Sequence, residues 1–168
     1  MLIKGNSQIL FGSMGRLSEN SVVNMKNMSH SVTAEIVVPT TGAEGVIVAQ
    51  GGNIGGLSLY AKGGKVKYCY NLLGIQYFCA ESSSALTPGD HQVRMEFAYA
   101  GGGLGKGGTA SLYVDGKKVG EGKVGATAAG NQFSGRVRGV QLAIAEDAES
   151  VDHLVSPEEA VRIAMARQ

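Results

Sequence analysis

Three groups of residues have types and spacings that could support chemistry, and the first is a glycine-rich loop. Residues 103–108 read Gly-Leu-Gly-Lys-Gly-Gly and fit the GxGxxG pattern of a dinucleotide-binding turn, in which a strand leads into a phosphate-holding helix. Here the alternating segments His91–Tyr99 and Thr109–Val114 flank the loop, so it joins two predicted strands. A P-loop also fails, because Ala100 and Gly107 stand where its first glycine and its Ser/Thr belong. We therefore expect no nucleotide cofactor.

Carboxylates and histidines form the second group. Glu35 and Glu96 both project from the polar faces of predicted strands, so they could be neighbours like the paired acids of a glycoside hydrolase. Solvated or salt-bridged strand carboxylates are far commoner, and no E-x-D-x-x-E string occurs, so we assign no catalytic residue. His30, His91 and His153 are too scattered to predict a metal site with the cysteines. His30 and His91 begin predicted strands, where a solvated histidine is expected, and no Ser-His-Asp arrangement emerges.

The third group is a pair of cysteines, Cys69 and Cys79. They are symmetric about Gly74, which lies between two alternating segments, Lys65–Asn71 and Tyr77–Glu81. If these segments form a hairpin around the glycine, the two cysteines lie directly opposite each other.

The same register fixes the face that each side chain takes. Lys67 pairs with Glu81 and marks the solvent face, which also carries both cysteines, whereas Tyr70 and Phe78 face the core. A cross-strand disulfide is geometrically open to the cysteines, but two free thiols are the favoured state if the chain is cytosolic.

The elements that must position these residues are predicted to be strands. Almost every readable segment alternates with period two, and turn signals such as Gly63-Gly64 and Asp115-Gly116 recur about every ten residues. This spacing predicts an all-β sandwich or barrel. A phase break at Gly139 predicts a bulge in the last strand. The predicted strands are 31–38, 45–50, 57–61, 65–71, 77–81, 91–99, 109–114, 117–124 and 135–145.

Composition narrows the class of protein. The chain has 168 residues and a net charge of +1, without an arginine-rich helix or aromatic platform, so we expect no nucleic-acid partner. No apolar run is long enough to cross a membrane, and no signal peptide is recognisable in this sequence. Either the protein is cytoplasmic, which is the default expectation, or an export signal lies outside this sequence. We predict a β-sandwich domain over 1–148 and a tail over 149–168. The capping box that begins at Ser156 predicts a helix at about 156–167.

Several longer strings resemble the C-terminal domain of large bacterial arylsulfatases. The resemblance covers roughly residues 8–145, and its strings are 25–35, 42–52, 57–62, 70–74, 97–108 and 113–119. Among them, FAYAGGGLGKGG at 97–108 is the most distinctive. The resemblance implies a jelly-roll sandwich of two antiparallel sheets, of the concanavalin and laminin-G type.

In that family, sulfatase activity belongs to a separate α/β domain with a Cys/Ser-x-Pro-x-Arg motif. Neither Cys69 nor Cys79 begins such a motif, and no serine does. The resemblance therefore implies a non-catalytic accessory or interaction domain that partners a catalytic sulfatase domain or another copy of itself. The alternative is a lectin-like module that binds glycans, sulfated ones included. The ligand residues that we would assign to such a module are Asn53, Asn71, Gln76 and Tyr77.

One segment departs from the family pattern. Family members carry a longer acidic segment between the strand that matches 117–124 and the final strand, whereas 125–132 is short and contains no acid. One or two strands could be missing here, which weakens any expectation of calcium. A missing strand would also expose a sheet edge that a partner chain, such as a second copy in a homodimer, would cover.

Overall fold

The structure is a computed structural model and describes residues 6–11, 17, 21–52 and 55–128. The described chain forms strands joined by turns and short loops. In chain order the strands are β1 (His30–Val38), β2 (Gly45–Gly52), β3 (Gly55–Lys62), β4 (Lys65–Leu72), β5 (Gln76–Glu81), β6 (Gly89–Tyr99), β7 (Gly108–Val114) and β8 (Lys117–Val124).

The strands build two four-stranded antiparallel sheets that pack face to face. One sheet has the order β1-β6-β7-β8 and the other has the order β2-β3-β4-β5. This confirms the predicted all-β sandwich of two antiparallel sheets. Each predicted strand from 31–38 to 117–124 is present, with ends that differ by at most two residues. The predicted strand 135–145 with its bulge at Gly139, the helix at 156–167 and the boundary at 148/149 lie outside the described residues.

The core lies between the two sheets and consists of the apolar members of each alternating strand. Alternate residues in the middle of β6 (93, 95 and 97) are buried, as are alternate residues of β3, β4 and β7. Burial of one Leu, Val or Met side chain contributes roughly 1.5–3 kcal/mol to folding. For this reason the alternation of apolar and polar residues is most regular in these central strands. The completely buried side chains include Leu59, Val66, Tyr68, Val93, Met95 and Leu112.

One long side of the sandwich is closed by glycines. There β5 and β8 lie against each other, although they belong to different sheets. A Cβ atom at Gly120 would lie 2.3 Å from the carbonyl oxygen of Glu81, and one at Gly122 would lie 2.9 Å from that of Cys79. Only residues without a side chain permit this approach. On the opposite long side, β1 and β2 are the outermost strands of the described sheets.

The described connections lie at the two short ends of the sandwich. We call one the pocket end, formed by residues 39–44, 63–64, 82–88 and 115–116. We call the other the loop end, formed by residues 24–29, 73–75, 100–107 and 125–128. The two-residue turns predicted at Gly63-Gly64 and Asp115-Gly116 are present at the pocket end, and all four residues have positive φ, as type I′ hairpin turns require.

Candidate functional site

The β4–β5 hairpin has the register that the sequence predicts. Cys69 lies opposite Cys79, and Lys67 lies opposite Glu81. The outward face carries an ion pair between Lys67 and Glu81, to which Lys65 adds a second contact of 2.7 Å. These two lysines lower the pKa of Glu81 to about 2. The predicted solvent face of the hairpin is thereby confirmed.

The cysteine pair differs from the sequence expectation. The structure joins Cys69 and Cys79 in a disulfide, where two free thiols were the favoured state. The physical reason is the register. The two Cα atoms lie 4.1 Å apart, which is the close spacing of a non-hydrogen-bonded antiparallel pair, so the two sulfurs meet on the same face of the sheet. The Tyr60 hydroxyl lies 3.5 Å from the Cys69 sulfur and packs beside it.

Three of the four predicted ligand residues come together at the free tip of this hairpin. Asn71 lies opposite Tyr77, and Gln76 follows the turn, while Asn53 lies outside the described residues. The Asn71 carboxamide is already engaged: its oxygen accepts a hydrogen bond from the backbone N–H of Gly74 at 2.8 Å, and its nitrogen donates to the carbonyl of Gly52 at 3.1 Å. Asn71 therefore builds the tip, whereas the Tyr77 side chain is 62% exposed.

The tip itself is apolar, which residue-type reasoning missed. It consists of Leu73, Gly74 and Ile75, and Ile75 is 84% exposed. Leu73 has a φ of 56°, a left-handed conformation that Gly, Asn or Asp usually occupies in a turn. An aliphatic residue held at positive φ and half exposed is unfavourable for folding alone, so it marks a candidate surface for function. The signal in the sequence was a turn, Leu-Leu-Gly-Ile, without a polar turn former.

The glycine-rich loop lies at the same end and is fastened by Asn27. The Asn27 side-chain oxygen accepts hydrogen bonds from the Gly105 N–H at 3.2 Å and from the Thr127 hydroxyl at 2.9 Å. The Tyr99 hydroxyl donates to the Gly103 carbonyl at 2.6 Å and accepts from the Lys106 N–H at 3.0 Å. These contacts occupy amides that a phosphate would need, and the loop joins β6 to β7 as the sequence predicts.

His30, also at the loop end, is not solvated as expected. Its Nδ1 lies 3.0 Å from the Met28 carbonyl, and its ring packs against Phe97 with the centroids 5.2 Å apart. Its Nε2 is buried and has no hydrogen-bond partner among the described residues. Burial lowers the pKa of His30, because the charged imidazolium would lose its hydration there.

At the pocket end, His91 links three separate elements. Its Nδ1 lies 2.7 Å from a carboxylate oxygen of Asp115, and its Nε2 lies 2.8 Å from the Thr87 carbonyl and 3.1 Å from the Thr87 hydroxyl. The second oxygen of Asp115 accepts from the Gln92 N–H at 2.9 Å. The His91 side chain is only 11% exposed, so the expectation of a solvated histidine is wrong here too.

The order Thr87, His91, Asp115 is that of a hydroxyl–histidine–carboxylate triad, which sequence reasoning could not find. The Asp115 carboxylate and the Thr87 carbonyl can only accept hydrogen bonds, so both favour a proton on the ring nitrogen that each one faces. The Asp115 carboxylate and the Thr87 carbonyl accordingly raise the pKa of His91, while the Gln92 N–H and His91 lower the pKa of Asp115. Both ring nitrogens of His91 are held by these contacts, and they tie β6 to the 82–88 connection and to the 115–116 turn, so we call this group a clamp.

The clamp borders a shallow pocket of about 210 Å³ between residues 84–87 and residues 114–119. Its volume is below the roughly 300–1,000 Å³ of typical small-molecule sites. Elsewhere, Glu35 and Glu96 share the outer face of the β1-β6-β7-β8 sheet, as predicted. Glu35 lies opposite Gln92, four residues from Glu96, which is about 13 Å along a strand and wider than a glycosidase pair.

Within the described part of the chain, no group of three or more His, Cys, Asp or Glu side chains is arranged to hold a metal ion. No helix in that part has the length and apolar character needed to span a bilayer. No family model matches this chain, and no curated protein or solved structure is significantly similar to it. Because a sandwich fold supports many functions, the function has to be argued from the surfaces themselves.

Proposed function

We propose that this chain is a non-catalytic accessory domain of the arylsulfatase C-terminal type, which docks onto a catalytic partner through its loop end. The observation that carries the proposal is the apolar tip of the β4–β5 hairpin, where Leu73 and Ile75 are presented to solvent on a hydrogen-bonded turn. Aliphatic side chains supply no nucleophile and no proton, but they gain free energy when a partner removes them from water.

The construction of the tip supports docking. Asn71 fixes the turn through the Gly74 N–H, and the Cys69–Cys79 disulfide crosslinks the two strands directly beneath it. A surface that is already rigid loses little conformational entropy when it binds, so more of the burial energy remains as affinity. Full burial of one aliphatic side chain such as Ile75 is worth roughly 1.5–3 kcal/mol.

The cysteines also bear on catalysis. A formylglycine sulfatase needs a cysteine or serine that begins a Cys/Ser-x-Pro-x-Arg string, and the sequence has none. Both cysteine sulfurs are committed to each other, which removes them as nucleophiles as well. The purified chain is therefore expected to leave an aryl sulfate intact in the presence of divalent metal ions. Steady turnover that follows the chain through purification would overturn the proposal.

Docking is tested with an arylsulfatase catalytic domain from which its own C-terminal domain has been removed. Isothermal titration should show saturable binding of this chain, and Ile75→Asp should weaken it by about tenfold or more. Val46→Asp is the matched control, because Val46 is an exposed aliphatic residue near the pocket end. Equal losses for both variants, or no binding by the unaltered chain, would contradict docking through the tip.

A second candidate function is glycan binding, favoured by the exposed ring of Tyr77 beside Gln76 on the same hairpin. Sugars stack on exposed aromatic faces and take hydrogen bonds from neighbouring amides. A glycan array that includes sulfated sugars tests this function, with Tyr77→Ala as the variant that should abolish any signal. An array without hits, or hits that the Tyr77→Ala variant still gives, would contradict glycan binding through Tyr77, and docking would be the one function still proposed.

A further inference from the structure

We infer that β1 is a self-association edge, on which a second copy of this chain adds its own β1 in antiparallel register and extends the sheet across both copies. The inference rests on a difference between β1 and the other three edge strands of the described sheets. An exposed edge presents unpaired N–H and C=O groups, and proteins normally protect it with glycines, bulges, prolines, charges or a covering element.

The other three edges are protected. The β5 and β8 edges cover each other along the closed side, where Gly120 and Gly122 let the backbones touch. The β2 edge contains a register shift between Val46 and Val48 and has glycines at both of its ends. Both features bend a strand and weaken its pairing with a strand from another chain.

In contrast, β1 has none of these protections within the described part of the chain, apart from one acidic side chain. It runs for nine residues, His30–Val38, in unbroken register with β6, and it contains no proline, glycine, lysine or arginine. Its one acidic residue, Glu35, accepts a hydrogen bond of 2.8 Å from Gln92 on β6, so the charge is drawn toward the sheet and away from the free edge. Val37 on this strand is 73% exposed.

The sequence of β1 is also compatible with itself. In an antiparallel pair centred on Ala34, that alanine lies opposite its own copy without a clash. On the core side, Val32 lies opposite the second copy's Ile36, and both are only half-buried in the single chain. On the outer side, Thr33 lies opposite the second copy's Glu35. No like charges face each other. The Val32–Ile36 pairs would bury core-side surface that is half-exposed in the single chain.

Light scattering on the full chain tests the inference, and the design uses two exposed positions that the register brings together, Ser31 and the second copy's Val37. The unaltered chain should have the mass of a dimer that dissociates on dilution. The double variant Ser31→Glu/Val37→Glu places like charges opposite each other at both symmetric contacts and should weaken dimerisation by at least about tenfold. The matched variant Ser31→Lys/Val37→Glu places opposite charges there and should remain a dimer.

Hydrogen exchange of the β1 amides supplies the second readout. Amides on the free side of β1 should be protected in the dimer and should exchange faster in Ser31→Glu/Val37→Glu. Slow exchange in a chain that is monomeric at every concentration would mean that a segment of the same chain covers the edge, which overturns the inference. A dimer whose mass is the same for both double variants would overturn it as well. Because light scattering uses this chain alone, either result is independent of docking through the hairpin tip.

Discussion

The pocket end and the loop end of the sandwich are both fastened by polar side chains that reach across distant parts of the chain. At the pocket end, His91 joins Thr87 and Asp115 through charged hydrogen bonds, and the connections fold back onto the sandwich. At the loop end, Asn27 holds the glycine loop through uncharged hydrogen bonds, yet the neighbouring hairpin leaves Leu73 and Ile75 in solvent. The contrast teaches that polar side chains fasten both ends, whereas an apolar hairpin tip occurs, among the described turns, at the loop end alone.

Removal of the disulfide should produce the largest loss of stability, and the loss should affect the loop end more than the pocket end. The Cys69→Ser/Cys79→Ser variant opens a loop with a sequence separation of 10, and we expect it to cost about 2–3 kcal/mol of unfolding free energy. Urea denaturation measures the loss. Hydrogen exchange should accelerate in the β4–β5 tip and remain unchanged around His91. A titration of two thiols in the unfolded, unreduced protein, or a variant as stable as the parent, would show that no disulfide forms.

Loss of the Asn27 side chain should loosen the glycine loop. Asn27→Ala leaves the Gly105 N–H without its side-chain acceptor, leaves the Thr127 hydroxyl only the Lys106 carbonyl, and places alanine at a φ of 54°, so we expect a cost of about 2 kcal/mol in urea denaturation. Asn27→Gly removes the same hydrogen bonds but tolerates the backbone, and it should recover part of the loss. If the two variants were equally stable, the backbone conformation of Asn27 would carry no strain.

The histidines should respond to pH with opposite signs. The pKa of His91 is raised, so its stabilising contribution is complete below the unfolded value near 6.5 and disappears as pH rises through the folded value. The pKa of His30 is lowered, so folding is favoured above 6.5 and this contribution is lost as pH falls through the folded value. NMR titration of the two rings should place His91 above and His30 below 6.5.

The variants His91→Gln and His30→Gln check the same point through stability. The stability difference between the parent and His91→Gln should shrink as pH rises above 6.5. Relative to His30→Gln, the parent should lose unfolding free energy as pH falls below 6.5. Two rings that titrate together near 6.5 would remove the electrostatic contrast between the ends.

Relief of the backbone strain at Leu73 should give the smallest change in unfolding free energy, and this change should be a gain. Leu73→Asn puts a residue that tolerates positive φ into the hairpin tip, and we expect a gain of about 0.5 kcal/mol in unfolding free energy. Leu104→Asn is the matched control, because Leu104 is an exposed leucine of the same end whose φ is not positive, and it should leave stability unchanged. A destabilised Leu73→Asn would show that Leu73 serves the fold and would remove it from the docking surface.

Much of the fold was readable from the sequence because the information is local. Alternation of apolar and polar residues assigns faces in strands such as β6, and the symmetry of Cys69 and Cys79 about Gly74 gives the β4–β5 register. Local information also placed Asn71, Gln76 and Tyr77 on one hairpin. It could not assign the state of the cysteines, since that depends on how closely the register brings the sulfurs. The arylsulfatase resemblance, the tail and the glycan ligand stay predictions.

The sequence by itself determined the strands, their faces and their tight turns, because each follows from neighbours within a few residues. Only the tertiary structure decided which residues fasten the ends. Asn27 meets Gly105 across 78 residues and Thr127 across 100, and His91 meets Asp115 across 24, so these contacts exist only once the sheets have paired and packed. The exposure of Ile75 and of the β1 edge likewise depends on which neighbours the folded sandwich places beside them, and an alternating pattern carries no information about that.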